Sequence, residues 1–225
     1  MKKTYAQPPC NATFATAAGL ALGAWVGPAV ADYNFVGCTR VQEQTVLEAY
    51  APTFARAKAA EDRVGPTAIY TTWFGEWSPE RGELVFSQIR DIIAATLIGT
   101  PQFTCLEQKH IGCKTGARLA FIFRETSYDI FLCPLFFEID GSEGVDRTSV
   151  LIHELAHFEI GVAGMTGDHC AFNDAAECKS LARDNPDLAV RNADNFRLFI
   201  EQAAHEEFGV PLPFSDWPRT LSPGN

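Results

Sequence analysis

Basic clusters are missing from this sequence. Its 225 residues carry 18 Lys and Arg against 28 Asp and Glu, a formal charge of −10. No stretch of the chain would neutralise a run of phosphates, which argues against nucleic acid as a partner. Histidine is scarce too, with five in the whole chain. No two cysteines are spaced Cys-x-x-Cys, which disfavours a structural metal held by cysteines. Internal repeats and low-complexity linkers are absent. A chain of this length and ordinary composition then has enough residues for one substantial core.

The start of the chain is different in kind. Lys2 and Lys3 precede an uncharged stretch from Ala12 to Ala31, and Ala29-Val30-Ala31 is a small-residue cleavage site. This pattern predicts a signal peptide over residues 1–31, with residues 32–225 as the mature domain. Gly23, Gly27 and Pro28 weaken the alternative, a retained membrane anchor. After cleavage no stable membrane association is expected, and the protein is secreted, extracellular or periplasmic. Cysteine usage agrees. Of seven cysteines, Cys10 lies in the signal, which leaves Cys38, Cys105, Cys113, Cys133, Cys170 and Cys178. An even number in an exported chain predicts three disulfides, and six cysteines admit fifteen pairings.

Two of the five histidines fall in His153-Glu154-Leu155-Ala156-His157. On a helix, residues four apart share a face, so both imidazoles can reach one metal ion while Glu154 holds the metal's water. His-Glu-x-x-His in a helix is the pattern that makes a nucleophile from water at neutral pH and aims it at a carbonyl. Asp146 or Thr148 can cap the helix start. A catalytic zinc needs a third protein ligand. After the helix the chain reads Gly161-Val162-Ala163-Gly164-Met165-Thr166-Gly167-Asp168-His169-Cys170. The glycines let the backbone turn back, and Asp168 is the nearest carboxylate on the returning loop. His169, Asp174 and Glu177 are its rivals.

Elsewhere the periodicity is mostly helical. Thr39 to Arg63 reads as a helix that Pro52 kinks or splits, ending at Gly65-Pro66. Tyr70 to Gly75 is aromatic and β-branched, as in a strand or a packed loop. Ser78-Pro79 opens a helix that runs toward Gly99. Leu119–Phe123 and Ile130–Cys133 read as two strands joined near Thr126-Ser127. Helices are expected from about Ala175 to Arg183 and from Asp187 to about Glu207, before an extended tail from Pro211 to Asn225. The fold class is α+β, a single domain that is mainly helical with a small β-sheet and stapled by disulfides.

Several segments, in order, resemble the aspzincin family of deuterolysins and peptidyl-Lys metalloendopeptidases. They are Tyr33-Asn34 with Gly37-Cys38, Tyr70-Thr71-Thr72-Trp73-Phe74-Gly75, Phe103-Thr104-Cys105, Cys113, Phe131-Leu132-Cys133, and the stretch from Ser180 through Asn185-Pro186-Asp187 to Asn192-Ala193-Asp194. The resemblance implies a zincin-like fold and the bridges Cys38–Cys105, Cys113–Cys133 and Cys170–Cys178. The family's second motif, Gly-Thr-x-Asp-x-x-Tyr-Gly, reads here Gly164-Met165-Thr166-Gly167-Asp168-His169-Cys170-Ala171-Phe172, with an extra Met after Gly164 and the Thr-x-Asp core kept as Thr166-Gly167-Asp168. It implies Asp168 as third ligand beside His153 and His157, one Zn2+ per chain, and Glu154 as general base.

Two departures stand out. The motif's tyrosine, which donates to the oxyanion in the family, is replaced by Ala171 with Phe172 next to it, and neither can donate. His169 is the candidate substitute. Lysine-specific members use an Asp and a Glu three residues apart in the S1′ pocket. Here Asp194 matches the first, but Arg197 stands at the second. Its guanidinium would repel a lysine and pair with Asp194, which argues against strict lysine specificity. The plainer reading of the two is a helix-surface ion pair of little consequence. The expected function is a secreted, monomeric zinc metalloendopeptidase acting on protein or peptide substrates. The alternative is a catalytically weakened binding or effector protein on the same scaffold.

Overall fold

The computed structural model describes residues 33–97, 101–114, 118–123, 128–140, 145–158 and 166–211. All of them lie in the unit spanning Ala31–Asn225. The signal at 1–31, the strand joint at Thr126-Ser127, the glycine turn before Thr166 and the tail beyond Pro211 lie outside the described residues.

Helices dominate. α1 (Arg40–Tyr50) starts from Thr39, whose side chain accepts from Gln42 N in a capping box. Pro52 lacks the N–H that would continue α1, so the segment splits there and α2 (Thr53–Glu61) follows. α3 (Ala68–Phe74) occupies the segment expected to be a strand or a loop. Thr67 caps it, and Ile69, Tyr70, Trp73 and Phe74 are all buried. One helical turn and a half puts these four large side chains into the core together, and that burial outweighs their weak β-preference. α4 (Pro79–Leu97) begins at Ser78-Pro79, with Ser78 Oγ accepting from Arg81 N.

A small sheet follows. Its order is β1-β2-β4-β3, where β1 is Phe35–Val36, β2 Gln102–Cys105, β3 Ala120–Phe121 and β4 Asp129–Leu132. β1, β2 and β4 are parallel, while β3 runs antiparallel to β4 at the edge. Ile130 and Leu132 alternate into the core along β4. The short α5 (Pro134–Glu138) leads toward α6 (Arg147–Ala156), the helix of the His-Glu-x-x-His motif.

α7 (Ala175–Asp184) is where it was expected, but the helix after it is not continuous. It breaks into α8 (Pro186–Ala189) and α9 (Ala193–Phe208). The reason is long-range. Gly167 pairs with the chain at the break, donating its N–H to Arg191 O at 2.8 Å and accepting from Ala193 N at 3.0 Å. α9 is the central helix, packed against α2, α3, α6 and α7, and every residue from Ala193 to Ala204 is buried. Trp73 Nε1 donates to Gln202 Oε1 on it at 2.7 Å, which satisfies the one polar atom of a fully buried indole. Disulfides join Cys38 to Cys105, Cys113 to Cys133 and Cys170 to Cys178. Among the described residues no helix is long and apolar enough to cross a membrane.

Candidate metal centre

α6 is buried on all sides from Thr148 to Ala156. Asp146 starts it, accepting from Ser149 N and Ser149 Oγ at 2.6 and 2.8 Å. Gln88 Nε2 satisfies its end, donating to Ala156 O and Phe158 O. The helix therefore projects His153 and His157 from a rigid base into a cavity of about 870 Å³.

The two Nε2 atoms lie 3.2 Å apart, and Asp168 Oδ1 is 3.3 Å from each. Three atoms of a tetrahedral zinc site, each about 2.0–2.1 Å from the ion, are separated by about 3.3–3.4 Å. The triangle has the size of a zinc ligand set, and its chemistry, two imidazoles and a carboxylate, is a zinc donor set. The outer contacts agree. His153 Nδ1 donates to Asp194 Oδ1 at 3.0 Å, and His157 Nδ1 to Thr166 O at 3.1 Å. Each bond places the ring proton on Nδ1 and leaves the Nε2 lone pair facing the other two donors.

Charge in the site is strongly biased. Burial opposes a charged His153, but its hydrogen bonds to Asp168 and Asp194 raise it to about 9. The hydrogen bonds from His153 and His157 hold Asp168 well below the ordinary carboxylate range. Three groups compete for protons at one point, and a divalent cation would replace them there. Glu154 lines the same cavity and is 5% exposed. Burial pushes its carboxyl above the usual range, against the pull of His153, His157 and Arg118. That is the direction a proton acceptor working near neutral pH needs.

Asp168 comes into place through its loop. Besides the Gly167 bonds to the α8–α9 break, His169 N donates to Asn192 Oδ1 at 2.5 Å. Thr166 Oγ1 donates to Ala156 O at 2.7 Å, and Cys170 is tied to Cys178 on α7. The rival carboxylates are engaged elsewhere. Asp174 caps α7, and Glu177 Oε2 accepts from Ala171 N at 2.9 Å. The His169 ring is exposed and folded over Gly167, on the cavity wall.

Asp194 and Arg197 do not form a helix-surface ion pair. Asp194 is 1% exposed and Arg197 0%. They sit behind His153, off the cavity wall. Arg197 Nε donates to Asp194 Oδ1 at 2.6 Å, and its Nη1 donates to both oxygens of Glu201 at 3.2 and 3.1 Å. Spacings of three and four put Asp194, Arg197 and Glu201 on one face of α9. Burial disfavours the Asp194 charge, yet Arg197 and His153 hold it at about 2. The roles of Asn192, Thr166 and Glu201 are not legible in the sequence: Asn192 holds His169 N from 23 residues away, Thr166 meets His157 only once its loop has turned back, and Glu201 pairs with Arg197 in the interior rather than in solvent.

A mainly helical domain with a small sheet, presenting two imidazoles and a carboxylate beside a buried glutamate, has a zincin-like fold with a candidate metal site. Its fold matches a solved zinc peptidase from Grifola frondosa, with a TM-score of 0.62 at 24% identity over 75% of this chain and 98% of the other. Residues 59–201 match the Aspzincin M35 model, described as lysine-specific metallo-endopeptidase, and the chain belongs to that family. A peptidyl-Lys metalloendopeptidase of Pleurotus ostreatus is 31% identical over 172 residues, covering 75% of this chain and 96% of its own. One from Armillaria mellea is 30% identical over 174 residues, covering 76% and 46%. An extracellular protease of Aeromonas hydrophila is 29% identical over 184 residues, covering 78% and 49%. The chain thus spans about half the length of the last two relatives. The family implies zinc, and His153, His157 and Asp168 are the candidate site for it.

Proposed function

We propose that this chain is a secreted, monomeric zinc metalloendopeptidase, with residues 1–31 as signal peptide and 32–225 as the working domain. His153, His157 and Asp168 hold one zinc per chain. Bound zinc supplies a Lewis acid that polarises the scissile carbonyl and acidifies a coordinated water to a pKa of about 7. Glu154 accepts the proton of the attacking water and delivers it to the leaving amine. Asp194 and Thr166 fix the two imidazoles in the tautomer that coordinates. The observation that carries this reading is the near-equilateral triangle of 3.2, 3.3 and 3.3 Å between the three donor atoms. The likeness to an extracellular protease of Aeromonas hydrophila and the three disulfides support an extracellular setting.

A second reading has one observation in its favour. Phe172, which cannot donate, stands at the cavity wall beside His153, their ring centroids 5.1 Å apart. Losing one oxyanion donor costs about 10²–10³ in rate, and a scaffold with catalysis so weakened would bind peptides without cutting them. Zinc content and digestion of a peptide library, with and without chelator, separate the two. Chelator-sensitive cleavage supports the peptidase, and zinc without cleavage supports the binder. Glu154→Gln should keep its zinc and lose cleavage by about 10²–10⁴-fold, the share a positioned acid–base group contributes. Undiminished turnover in that variant removes Glu154 from the mechanism.

A further inference from the structure

We infer that the cleft selects an apolar side chain and rejects a cationic one, with Phe172 as the specificity-determining residue; this rests on the peptidase reading above. A subsite for lysine has to offer a carboxylate that is not already spent, because an ammonium group placed against apolar surface loses its hydration for nothing. Among the described residues, each acid on or behind the wall already has a partner or a role, though exposed Glu177 engages one oxygen only. Asp168 faces His153 and His157. Glu177 accepts from Ala171 N. Glu154 is the proton acceptor. Asp194 Oδ1 receives both His153 Nδ1 and Arg197 Nε, and its Oδ2 receives Asn173 N at 2.8 Å. Both oxygens of Glu201 face Arg197.

The cation in this arrangement lies directly beneath Phe172. Arg197 Cζ is 5.0 Å from the centre of that ring, and the ring meets His153 edge to face at 5.1 Å. Phe172 is 39% exposed, so it still presents surface to the cleft. A lysine laid on it would meet a second cation through the same ring. Leu119, Phe121, Ile122 and Val150 continue the wall as apolar surface, and Arg118 over the Phe121 ring at 5.3 Å adds another positive charge. The name lysine-specific, attached to the family, does not fit these side chains.

Binding to zinc-loaded protein tests this without turnover. Phenylalanine, lysine and glutamate hydroxamates anchor through the metal and differ only in side chain. Calorimetry should find the phenylalanine compound bound about tenfold or more tightly than the lysine compound. Phe172→Leu should keep that preference, and Phe172→Ala should shrink it to about threefold or less with zinc content unchanged. Equal affinities, a preference for lysine or glutamate, no binding by any of the three, or an Ala variant with the ratio intact would overturn the inference. Hydroxamates that discriminate as expected on a protein that cuts no peptide would remove the peptidase reading and leave this one standing. Peptides cut chiefly beside lysine would do the reverse.

Discussion

Helix α6 holds His153 and His157 by its own turn, whereas Asp168 reaches them only because distant parts of the chain hold its loop. Within α6, spacing and one cap do the work: residues four apart share a face, and Asp146 starts the helix. The loop has no such repeat. Its anchors are the α8–α9 break through Gly167, Asn192 through His169 N, and α7 through Cys170–Cys178. The difference shows how a metal centre can be half local and half tertiary. The local half is specified wherever the helix forms. The tertiary half exists only when the last third of the chain has packed.

The contrast is not complete, since His153 is also braced from α9, and this gives the largest expected effect. Arg197→Met would leave Asp194 and Glu201 as buried carboxylates without their cation. Urea unfolding should show a loss of about 3–5 kcal/mol. Restoring charge balance in Arg197→Met/Glu201→Met should recover part of it. A loss below about 1 kcal/mol would mean that α6 needs no support from behind and that the contrast is sharper than drawn.

Asn192→Ala probes the loop, together with the tie from Asn192 Nδ2 to Asn195 Oδ1 at the start of α9. It removes the acceptor for His169 N while leaving α6 and its cap intact. Zinc affinity should fall about 10–100-fold, as when other outer contacts of metal ligands are lost. Unchanged affinity would break the distinction between the two halves, because the loop would then hold its place unaided.

The smallest effect belongs to the helix start. Asp146 is partly buried, and although that disfavours its charge, Arg56 at 3.0 Å and the Ser149 N–H hold its pKa below the ordinary value. The stability it contributes is therefore present above the unfolded carboxylate pKa and lost as pH falls through the lower folded value. Asp146→Asn keeps a capping oxygen and loses the ion pair. Unfolding at neutral pH should shift by less than about 1 kcal/mol, with the difference from wild type vanishing in acid. A difference that grows in acid would reverse the assignment.

What could be read from residues alone follows the same division. His153, His157, the Asp146 cap, the Pro52 split and the Ser78-Pro79 start depend on neighbours within a turn or two, so the sequence carries them openly. α3 is obscured because Tyr70, Thr71, Thr72 and Trp73 favour strands in isolation, and the joint burial of Ile69, Tyr70, Trp73 and Phe74 is what makes the segment a helix. β1 and β2 are two and four residues long and pair across some seventy positions, Phe35 with Phe103, beyond the reach of any local pattern. The break before Ala193 has no proline or glycine to announce it and comes from the bridge to Gly167. Arg197 is harder to read because charged residues on a helix are ordinarily solvated; its two carboxylate partners lie on its own helix, and its burial depends on Phe172 and the elements packed around α9.

X-ray absorption at the zinc edge, on protein loaded with one equivalent of metal, addresses the triangle itself. Expected are two imidazole nitrogens with oxygen donors, all at about 2.0–2.2 Å, and loss of tight zinc binding in Asp168→Ala. A third imidazole, a sulfur donor, or a wild-type spectrum from Asp168→Ala would contradict the assignment of that carboxylate.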